Sequence, residues 1–129
     1  MNHSQTSIYR HILFEVSEGI ARVRMNEPDR RNALSFEHMQ ELTDCFRAIG
    51  VNRNVAAVIL SGNGPAFSAG HDLSEMIGRT PEYYRDLFDV CTTMMDTIQY
   101  VPQPVIAQVH GIATAAGCQL VATCDLAVA

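Results

Sequence analysis

The sequence predicts an α/β fold, and three observations support this prediction. First, short apolar runs typical of strands alternate with longer stretches whose apolar residues recur at helical spacing. Second, two of the strand-like runs are each followed by a glycine-rich loop that leads into a predicted helix. Third, a length of 129 residues with 47% apolar residues is typical of one ordinary globular domain.

The first predicted elements are the two strands of a β-hairpin. Runs 12–16 and 20–25 flank the turn residues Ser17–Gly19, and the second run alternates apolar with polar side chains. The preceding residues, 1–10, are polar, and we expect a loose start there. The stretch that follows, 26–34, contains asparagines and a proline that are typical of turns.

Two long helices are predicted from their caps and from helical spacing. Ser35 is a good N-cap for a helix whose apolar residues recur until Gly50, a plausible stop. Thr80 and Pro81 begin the second helix, which the proline-containing segment 101–104 ends. Its predicted apolar face, for which core packing is the favoured interpretation, consists of Tyr84, Leu87, Phe88, Cys91, Met94, Met95 and Ile98.

A strand and a glycine-rich loop lie between these two helices. The run 55–60 has no charged residue and predicts a strand that is buried on both faces. The loop that follows, Ser61–Leu73, contains three glycines and a proline, so its backbone can turn sharply and approach a ligand closely. Asp72 is a good N-cap for a short helix over 73–77.

A second strand, loop and helix follow near the end of the sequence. The run 105–109 predicts a strand, and the small residues of 115–124 predict a closely packed helix. Free backbone N–H groups at such loop–helix junctions bind anions, and two junctions side by side would form an oxyanion hole. Residues 125–129 start another strand, and we expect the chain to be the front part of a longer architecture.

The composition argues against several functions and suggests a location. A net charge of −5 argues against nucleic acid as a partner. All nine basic residues are arginines, so this chain has no lysine to act as a nucleophile. The longest apolar run is too short to span a membrane, and residues 1–10 lack the apolar core of a secretion signal. We therefore expect a cytoplasmic protein.

The cysteines and histidines do not predict a metal site. The cysteines form no C-x-x-C pair, and we expect them to be small buried apolar residues without disulfides. They are Cys45, Cys91, Cys118 and Cys124. The histidines are scattered and form no H-E-x-x-H motif, so no metal is expected.

Three segments together resemble the crotonase superfamily, the enoyl-CoA hydratase/isomerase family. They are Asn-x-Pro-x-x-x-Asn-Ala-Leu at 26–34, Gly-Pro-Ala-Phe-Ser-Ala-Gly-His-Asp-Leu at 64–73, and 110–125, where His-Gly precedes Ala-Ala-Gly-Cys-Gln-Leu and Cys-Asp. Ser-Ala-Gly-His-Asp-Leu and Ala-Gly-Cys-Gln-Leu resemble most the enoyl-CoA hydratase domain-containing protein 3 branch. Family members are much longer, so the resemblance implies that residues 1–129 are the N-terminal portion of a crotonase-like domain, a truncated spiral of ββα units.

The resemblance also implies a substrate and a set of binding residues. The carbonyl oxygen of an acyl-CoA thioester would be held by the backbone N–H groups of His71 and Ala116. The His71 imidazole is an alternative acid or base, although the resemblance favours the amide. Other implied substrate contacts are Ala69, Gly70, Leu73 and Gly117. Arg30 or Arg31 would face the CoA phosphates, and a solvated turn is an equally good interpretation of these two arginines.

Gln119 departs from the family pattern. Hydratases of the family carry a glutamate at this position, and a glutamine has no titratable proton and cannot act as a general base. The second family glutamate is also absent from these 129 residues. Two hypotheses therefore stand: an enzyme of fatty acid metabolism that stabilises an enolate in an oxyanion hole, or a catalytically silent acyl-CoA-binding or assembly module.

Under either hypothesis the resemblance implies no cofactor beyond the CoA part of the substrate. Full-length members of the family form trimers or hexamers, so we expect a homo-oligomer.

Overall fold

The computed structural model describes residues 5–129, with the backbone alone for 5–8. Within this range there are eight strands, three α-helices and two short 3₁₀ turns. The strands are β1 (Gln5–Ile8), β2 (Ile12–Ser17), β3 (Ile20–Met25), β4 (Ala57–Gly62), β5 (Ala66–Ser68), β6 (Val105–Gln108), β7 (Ile112–Ala113) and β8 (Leu126–Val128). The helices are α1 (Phe36–Gly50), α2 (Pro81–Tyr100) and α3 (Ala116–Thr123), and the 3₁₀ turns are Pro28–Arg30 and Leu73–Met76.

Six of the strands form one mixed sheet in the order β1-β2-β3-β4-β6-β8. The first three strands are antiparallel, as the predicted hairpin of β2 and β3 requires, and β3, β4, β6 and β8 are parallel. β5 and β7 form a separate parallel pair. The predicted α/β fold is therefore confirmed, and its parallel half is the part that carries the two glycine-rich loops.

The core lies between one face of the sheet and the helices α1 and α2. Along β3, Ala21 and Val23 are fully buried, whereas Arg22 and Arg24 between them are exposed. The predicted face of α1 is buried on the opposite side of this core, and its residues Met39, Leu42, Phe46 and Ile49 are all at most 1% exposed. Burial of each such side chain stabilises the fold by about 1.5–3 kcal/mol relative to exposure.

The three predicted N-caps are all present. Ser35 accepts a hydrogen bond from the His38 N–H at 3.1 Å, and Thr80 accepts one from the Tyr83 N–H at 3.1 Å. Asp72 caps the Leu73–Met76 turn in the same way, although this turn is a 3₁₀ helix. A cap of this kind is typically worth about 1 kcal/mol, so the local sequence decides where these elements begin.

The prediction that the strand around 55–60 is buried on both faces is wrong. In β4, Val58 and Leu60 are fully buried, whereas Ala57 and Ile59 are only partly buried. Successive side chains of a strand point to opposite faces, and the main core lies on the face that carries Val58 and Leu60. The absence of charged residues from this run therefore indicates a strand, but the strand is fully buried on one face only.

Two further predictions need correction. The polar start was expected to be loose, but Gln5–Ile8 pairs with β2 as an antiparallel strand through backbone bonds that the sequence pattern does not reveal. Residues 1–4 of that predicted start lie outside the described residues. On α2, Phe88 was assigned to the core but is 49% exposed, and its ring packs edge to face against His71 outside the main core.

His38 on α1 makes stability depend on pH. It is fully buried, its Nδ1 lies 3.1 Å from the Ala33 carbonyl oxygen, and its Nε2 has no partner within the described residues. Burial lowers the pKa of His38 to about 4, well below its ordinary value. The unfolded chain therefore binds a proton between about pH 6.5 and 4 that the folded chain does not, so stability falls as the pH drops through this window.

We expect the free energy of unfolding in urea to decrease from pH 6.5 toward pH 4 in the native chain. His38→Gln, which cannot titrate, should show a shallower decrease whatever its absolute stability. Equal slopes for the two proteins would contradict the assignment of this pH dependence to His38.

Candidate active site

The two glycine-rich loops lie side by side. The loop after β4 contains β5 and the loop after β6 contains β7, and these two strands pair at Ala66 with Ile112 and at Ser68 with Ala113. The Thr114 N–H also donates to the Ser68 carbonyl at 3.1 Å. The adjacency that an oxyanion hole requires is therefore present in the backbone.

Glycines at 70 and 117 allow this close approach. Gly70 has φ of +90°, and a Cβ atom there would lie 3.3 Å from the backbone nitrogen of Ala116. A Cβ atom on Gly117 would lie only 2.2 Å from the Ser68 carbonyl oxygen. The backbone around Gly70 thus lies against the N-terminus of α3, with no room for side chains between them.

The N–H groups of His71 and Ala116 are both without a protein acceptor. His71 pairs with Leu34 in a single parallel β-bridge. The hydrogen bonds of this bridge use the residues on either side of His71: the Leu34 N–H donates to the Gly70 carbonyl at 2.7 Å, and the Asp72 N–H donates to the Leu34 carbonyl at 3.3 Å. Ala116 is the first residue of α3, where N–H groups have no intrahelical acceptor. Within residues 5–129, neither N–H donates to another protein group. Two unpaired donors on touching loops are the arrangement that stabilises an oxyanion.

Ala115, directly before α3, has a strained backbone. Its φ of 50° and ψ of −122° lie outside the regions that L-residues favour, and α3 has no side-chain N-cap. Strain of this kind costs about 1–3 kcal/mol and is concentrated at functional sites. The strained residue immediately precedes the unpaired N–H of Ala116.

The His71 side chain is half-buried against Phe88. The two rings pack edge to face with centroids 5.6 Å apart, and Nδ1 of His71 is buried without a partner within the described residues. Burial lowers the pKa of His71 and so favours the neutral ring. Acid–base histidines are usually oriented by a carboxylate, and no such hydrogen bond is present here within the described side chains.

Arg30 and Arg31 differ in their surroundings. Arg30 Nη1 lies 2.7 Å from Asp72 Oδ2, so this arginine ties the 26–34 turn to the loop after Gly70. Burial would raise the pKa of Asp72, but hydrogen bonds from Ser74 and Arg30 hold it below its usual value. Arg31 is exposed, and its hydrogen bonds within the described residues are made by its backbone: its N–H donates to the Pro28 carbonyl at 3.1 Å, and its carbonyl accepts from the Ala69 N–H at 3.0 Å. Of the two arginines, Arg31 has the guanidinium that is available to a ligand.

Asn32 joins the 26–34 turn to the first loop. It is fully buried, and its side-chain amide donates to the carbonyls of Asn63 at 2.9 Å and Ala66 at 3.0 Å. Its side-chain oxygen accepts from the Glu27 N–H at 2.9 Å, and its backbone carbonyl accepts from the Ser68 hydroxyl at 2.9 Å. The motif at 26–34 contains this asparagine, but the sequence did not predict its role, because all its partners except Glu27 are distant in sequence.

The remaining predicted site residues are distributed around these two amides. Gln119 lies one helical turn after Ala116 on α3 with an exposed side chain, and the adjacent Cys118 is also exposed. The prediction that all cysteines are buried is therefore wrong for Cys118, which is exposed, and holds only in part for Cys124, which is partly buried. Ala69 is exposed, and Leu73 is 74% exposed on the 3₁₀ turn, so an apolar surface borders the loop.

Two further kinds of feature are absent from the described residues. No group of three or more His, Cys, Asp or Glu side chains in this part of the chain is arranged to hold a metal ion. None of the described helices combines the length and the apolar character needed to cross a membrane.

Comparison with protein families matches residues 15–129 to the family described as Enoyl-CoA hydratase/isomerase. Among curated proteins, the mitochondrial enoyl-CoA hydratase domain-containing protein 3 of Danio rerio is 45% identical over 118 residues, which are 91% of this chain and 41% of that protein. The mitochondrial Delta(3,5)-Delta(2,4)-dienoyl-CoA isomerase of Rattus norvegicus is 32% identical over 132 residues, and the match covers 94% of this chain and 38% of that protein. The expected cytoplasmic location is contradicted by these relatives, which are named as mitochondrial.

Solved structures share the fold. An enoyl-CoA hydratase of Mycobacterium smegmatis matches with a TM-score of 0.89 at 48% identity, and human enoyl-CoA hydratase domain-containing protein 3 matches with 0.88 at 38% identity. Each match covers 92% of this chain and 47% of the solved chain. The chain therefore spans about half the length of these structures, and the likeness confirms both the fold and the branch that the loop sequences predicted.

Proposed function

This chain belongs to the enoyl-CoA hydratase/isomerase family, and we propose that it binds an acyl-CoA thioester through the backbone N–H groups of His71 and Ala116. The observation that carries the proposal is the pair of unpaired N–H donors on two touching loops. The thioester carbonyl oxygen would accept a hydrogen bond from each donor. Negative charge develops on this oxygen when a proton is removed beside the carbonyl or a nucleophile adds to the conjugated double bond.

The two donors suit this chemistry because the backbone holds them in place before the substrate arrives. Removal of one such donor typically lowers turnover by about 10²–10³-fold. The N-terminus of α3, where Ala116 lies, also carries the positive end of the helix dipole and favours negative charge. The enolate form would therefore be stabilised by donors that need no reorganisation during the reaction.

The neighbouring residues are assigned to the rest of the substrate. Gly70 and Gly117 let the two loops touch and so place the two donors together, and the exposed Ala69 and Leu73 would offer a surface to the pantetheine and adenine portions. Arg31 is the better partner for the CoA phosphates, because Arg30 is already paired with Asp72. The CoA moiety belongs to the substrate, and the proposal needs no separate cofactor.

A specific observation favours a catalytically silent acyl-CoA-binding module as the alternative. Gln119 occupies the position at which hydratases of the family carry a glutamate, and its amide can orient water but cannot accept a proton. Among the other candidates, Asp72 is engaged by Arg30 and Ser74, and His71 has no carboxylate partner in the described part of the chain. Binding without turnover would distinguish the module from the enzyme.

We expect this chain to hydrate crotonyl-CoA only very weakly, because general acid–base catalysis supplies about 10²–10⁴-fold in rate. Gln119→Glu restores only one of the two carboxylates that hydratases use, so it should give little gain here. In a longer form that supplies the second glutamate, the same substitution should raise the rate by close to that range. The measurement is hydration by both lengths, with Gln119→Ala as the control and a binding titration in parallel.

Robust hydration by the unsubstituted chain would contradict the assignment of position 119. It would mean that another residue, such as His71 or Asp72, is the base. Absence of any crotonyl-CoA binding would overturn the proposed function itself.

We also propose that the chain self-associates. β8 lies at the edge of the six-stranded sheet, and the apolar side chains of Ile112, Leu126 and Val128 are exposed. Open edges with exposed apolar residues favour association between chains. Sedimentation should therefore show a concentration-dependent oligomer, and Leu126→Lys should shift it toward monomer. A monodisperse monomer with a high, cooperative unfolding temperature would contradict this proposal.

A further inference from the structure

His11, in the turn between β1 and β2, is held by two carboxylates. Its Nδ1 is hydrogen-bonded to Glu27, and its Nε2 lies 3.1 Å from Glu37 Oε2. Glu27 lies just after β3, and Glu37 lies in the first turn of α1. The imidazole of His11 therefore joins the 26–34 turn to the N-terminus of α1.

Hydrogen-bond chemistry indicates which form of the ring this is. An ionised carboxylate only accepts hydrogen bonds, and a neutral imidazole has one N–H donor. Both contacts are satisfied at once only when His11 carries a proton on each nitrogen. Burial alone would lower the pKa of His11, but the hydrogen bonds with Glu37 and Glu27 outweigh it and raise the pKa above its ordinary value.

Other charged and titratable groups surround this ring. The Glu41 carboxylate accepts from the backbone N–H groups of Arg10 at 3.0 Å and His11 at 2.8 Å, and the Arg10 guanidinium lies 3.4 Å from Glu37.

The His38 ring stacks on the His11 ring with centroids 5.7 Å apart. The low pKa of His38 keeps its ring neutral, so it does not repel the imidazolium of His11. A cavity of about 280 Å³ beside the His11 ring is also lined by Arg30, Asp72 and Glu75.

Hydrogen bonds, joined through the covalent structure of Glu27 and Asn32, connect this cluster to the loop that carries His71. The Glu27 N–H donates to the Asn32 side chain at 2.9 Å, and the Ser68 hydroxyl donates to the Asn32 carbonyl at 2.9 Å. The Ser68 hydroxyl oxygen in turn accepts from the Gly70 N–H at 3.3 Å. Gly70 directly precedes His71, so these contacts connect Glu27 to the proposed oxyanion loop.

We propose that protonated His11 is a positioning residue that clamps Glu27 to Glu37, and that its deprotonation loosens the loop carrying the His71 N–H. The coupling of His11 to this loop stands on the hydrogen bonds alone. Its effect on thioester binding rests on the function proposed above. Because the folded-state pKa lies above the ordinary value of about 6.5, the clamp is fully formed below that pH and is lost as the pH rises through the folded-state pKa.

Nuclear magnetic resonance on the intact 129-residue chain tests the clamp without any ligand. Nitrogen shifts of the histidine rings should show His11 doubly protonated at about pH 6.5. The amide signals of Ser68 and Gly70 should titrate with the same midpoint as His11. A neutral His11 at this pH, or loop amides whose shifts ignore its midpoint, would overturn the inference.

Variants then test the connection. His11→Gln should abolish the titration of the loop amides, and Glu27→Gln should lower the midpoint of His11 and uncouple the amides. His110→Gln is the matched control, because His110 is exposed and its ring bonds the Gly64 carbonyl and, within the described residues, none of the groups that connect Glu27 to Gly70. It should leave the His11 midpoint and the loop titration unchanged. Loop titration that persists in His11→Gln would overturn the proposal.

The affinity for crotonyl-CoA, measured across the same pH range, tests the functional consequence. We expect the dissociation constant of the native chain to rise about three- to tenfold above the His11 midpoint, the size of one lost hydrogen bond. The dissociation constant should rise less in His11→Gln. Because the CoA phosphates titrate in the same way with both proteins, the difference between the two pH profiles reports the effect of His11. Identical pH profiles would overturn the effect on binding. Absence of binding at every pH would instead overturn the proposed function, and the amide titrations would still decide whether the clamp exists.

Discussion

Ala116→Pro should lower the affinity of the chain for crotonyl-CoA about tenfold or more, and any turnover by about 10²–10³-fold. Proline has no N–H, so the substitution deletes one of the two proposed donors. The fold does not need this donor, because the Ala116 N–H has no protein acceptor and proline is favoured at the first position of a helix. Binding is measured by titration calorimetry, and circular dichroism and thermal unfolding check that the variant is folded.

Two controls isolate the amide. Ala116→Gly removes the side chain and keeps the N–H, so it should bind crotonyl-CoA much better than the proline variant. His71→Ala removes the imidazole and keeps the other proposed donor, so its cost should also be much smaller. If His71→Ala is as damaging as Ala116→Pro, the imidazole takes part and the assignment of the His71 amide is wrong.

Gly117→Ala should destabilise the protein by about 3 kcal/mol or more, at the upper end of what overpacking usually costs. The added Cβ would lie 2.2 Å from the carbonyl oxygen and 2.8 Å from the carbonyl carbon of Ser68. Both atoms belong to the backbone, so no side-chain rotation can relieve the clash. The N-terminus of α3 must move away from β5, and the Ala116 N–H moves with it, so thioester binding should be lost as well.

Gly78→Ala is the matched control for this substitution. Gly78, unlike Gly117, has a positive φ, of 69°, but a Cβ there would meet no atom within 4 Å. It should cost only the backbone strain of about 1–2 kcal/mol. Urea unfolding of both variants gives the comparison, and equal stabilities would contradict a tight contact between α3 and β5.

The elements that local sequence decides were predicted well. The hairpin follows from alternation around a turn, and α1 and α2 follow from an N-cap at Ser35 or Thr80 with apolar residues at helical spacing. These signals lie within a few residues of the structure they predict. The position of the two glycine-rich loops was also predictable, because each follows an apolar run and precedes a helix.

What the sequence did not reveal depends on contacts between distant residues. β5 and β7 have three and two residues and show no strand pattern, yet their pairing brings the two loops together. Asn32 and His11 act through partners from other parts of the chain, so no local spacing marks them. Phe88 continues the apolar stripe of α2, and only its position beside His71 distinguishes it from the core residues.

The most direct test of the proposed thioester site is the infrared stretch of the thioester carbonyl in crotonyl-CoA labelled with ¹³C at that carbon. Isotope-edited difference spectra of the complex report the hydrogen bonds that this oxygen accepts. If the His71 and Ala116 N–H groups hold it, the bound band should lie at lower frequency than in water and should return toward the free value in Ala116→Pro. A bound band at the frequency found in water, or one that Ala116→Pro leaves unchanged, would contradict the proposal.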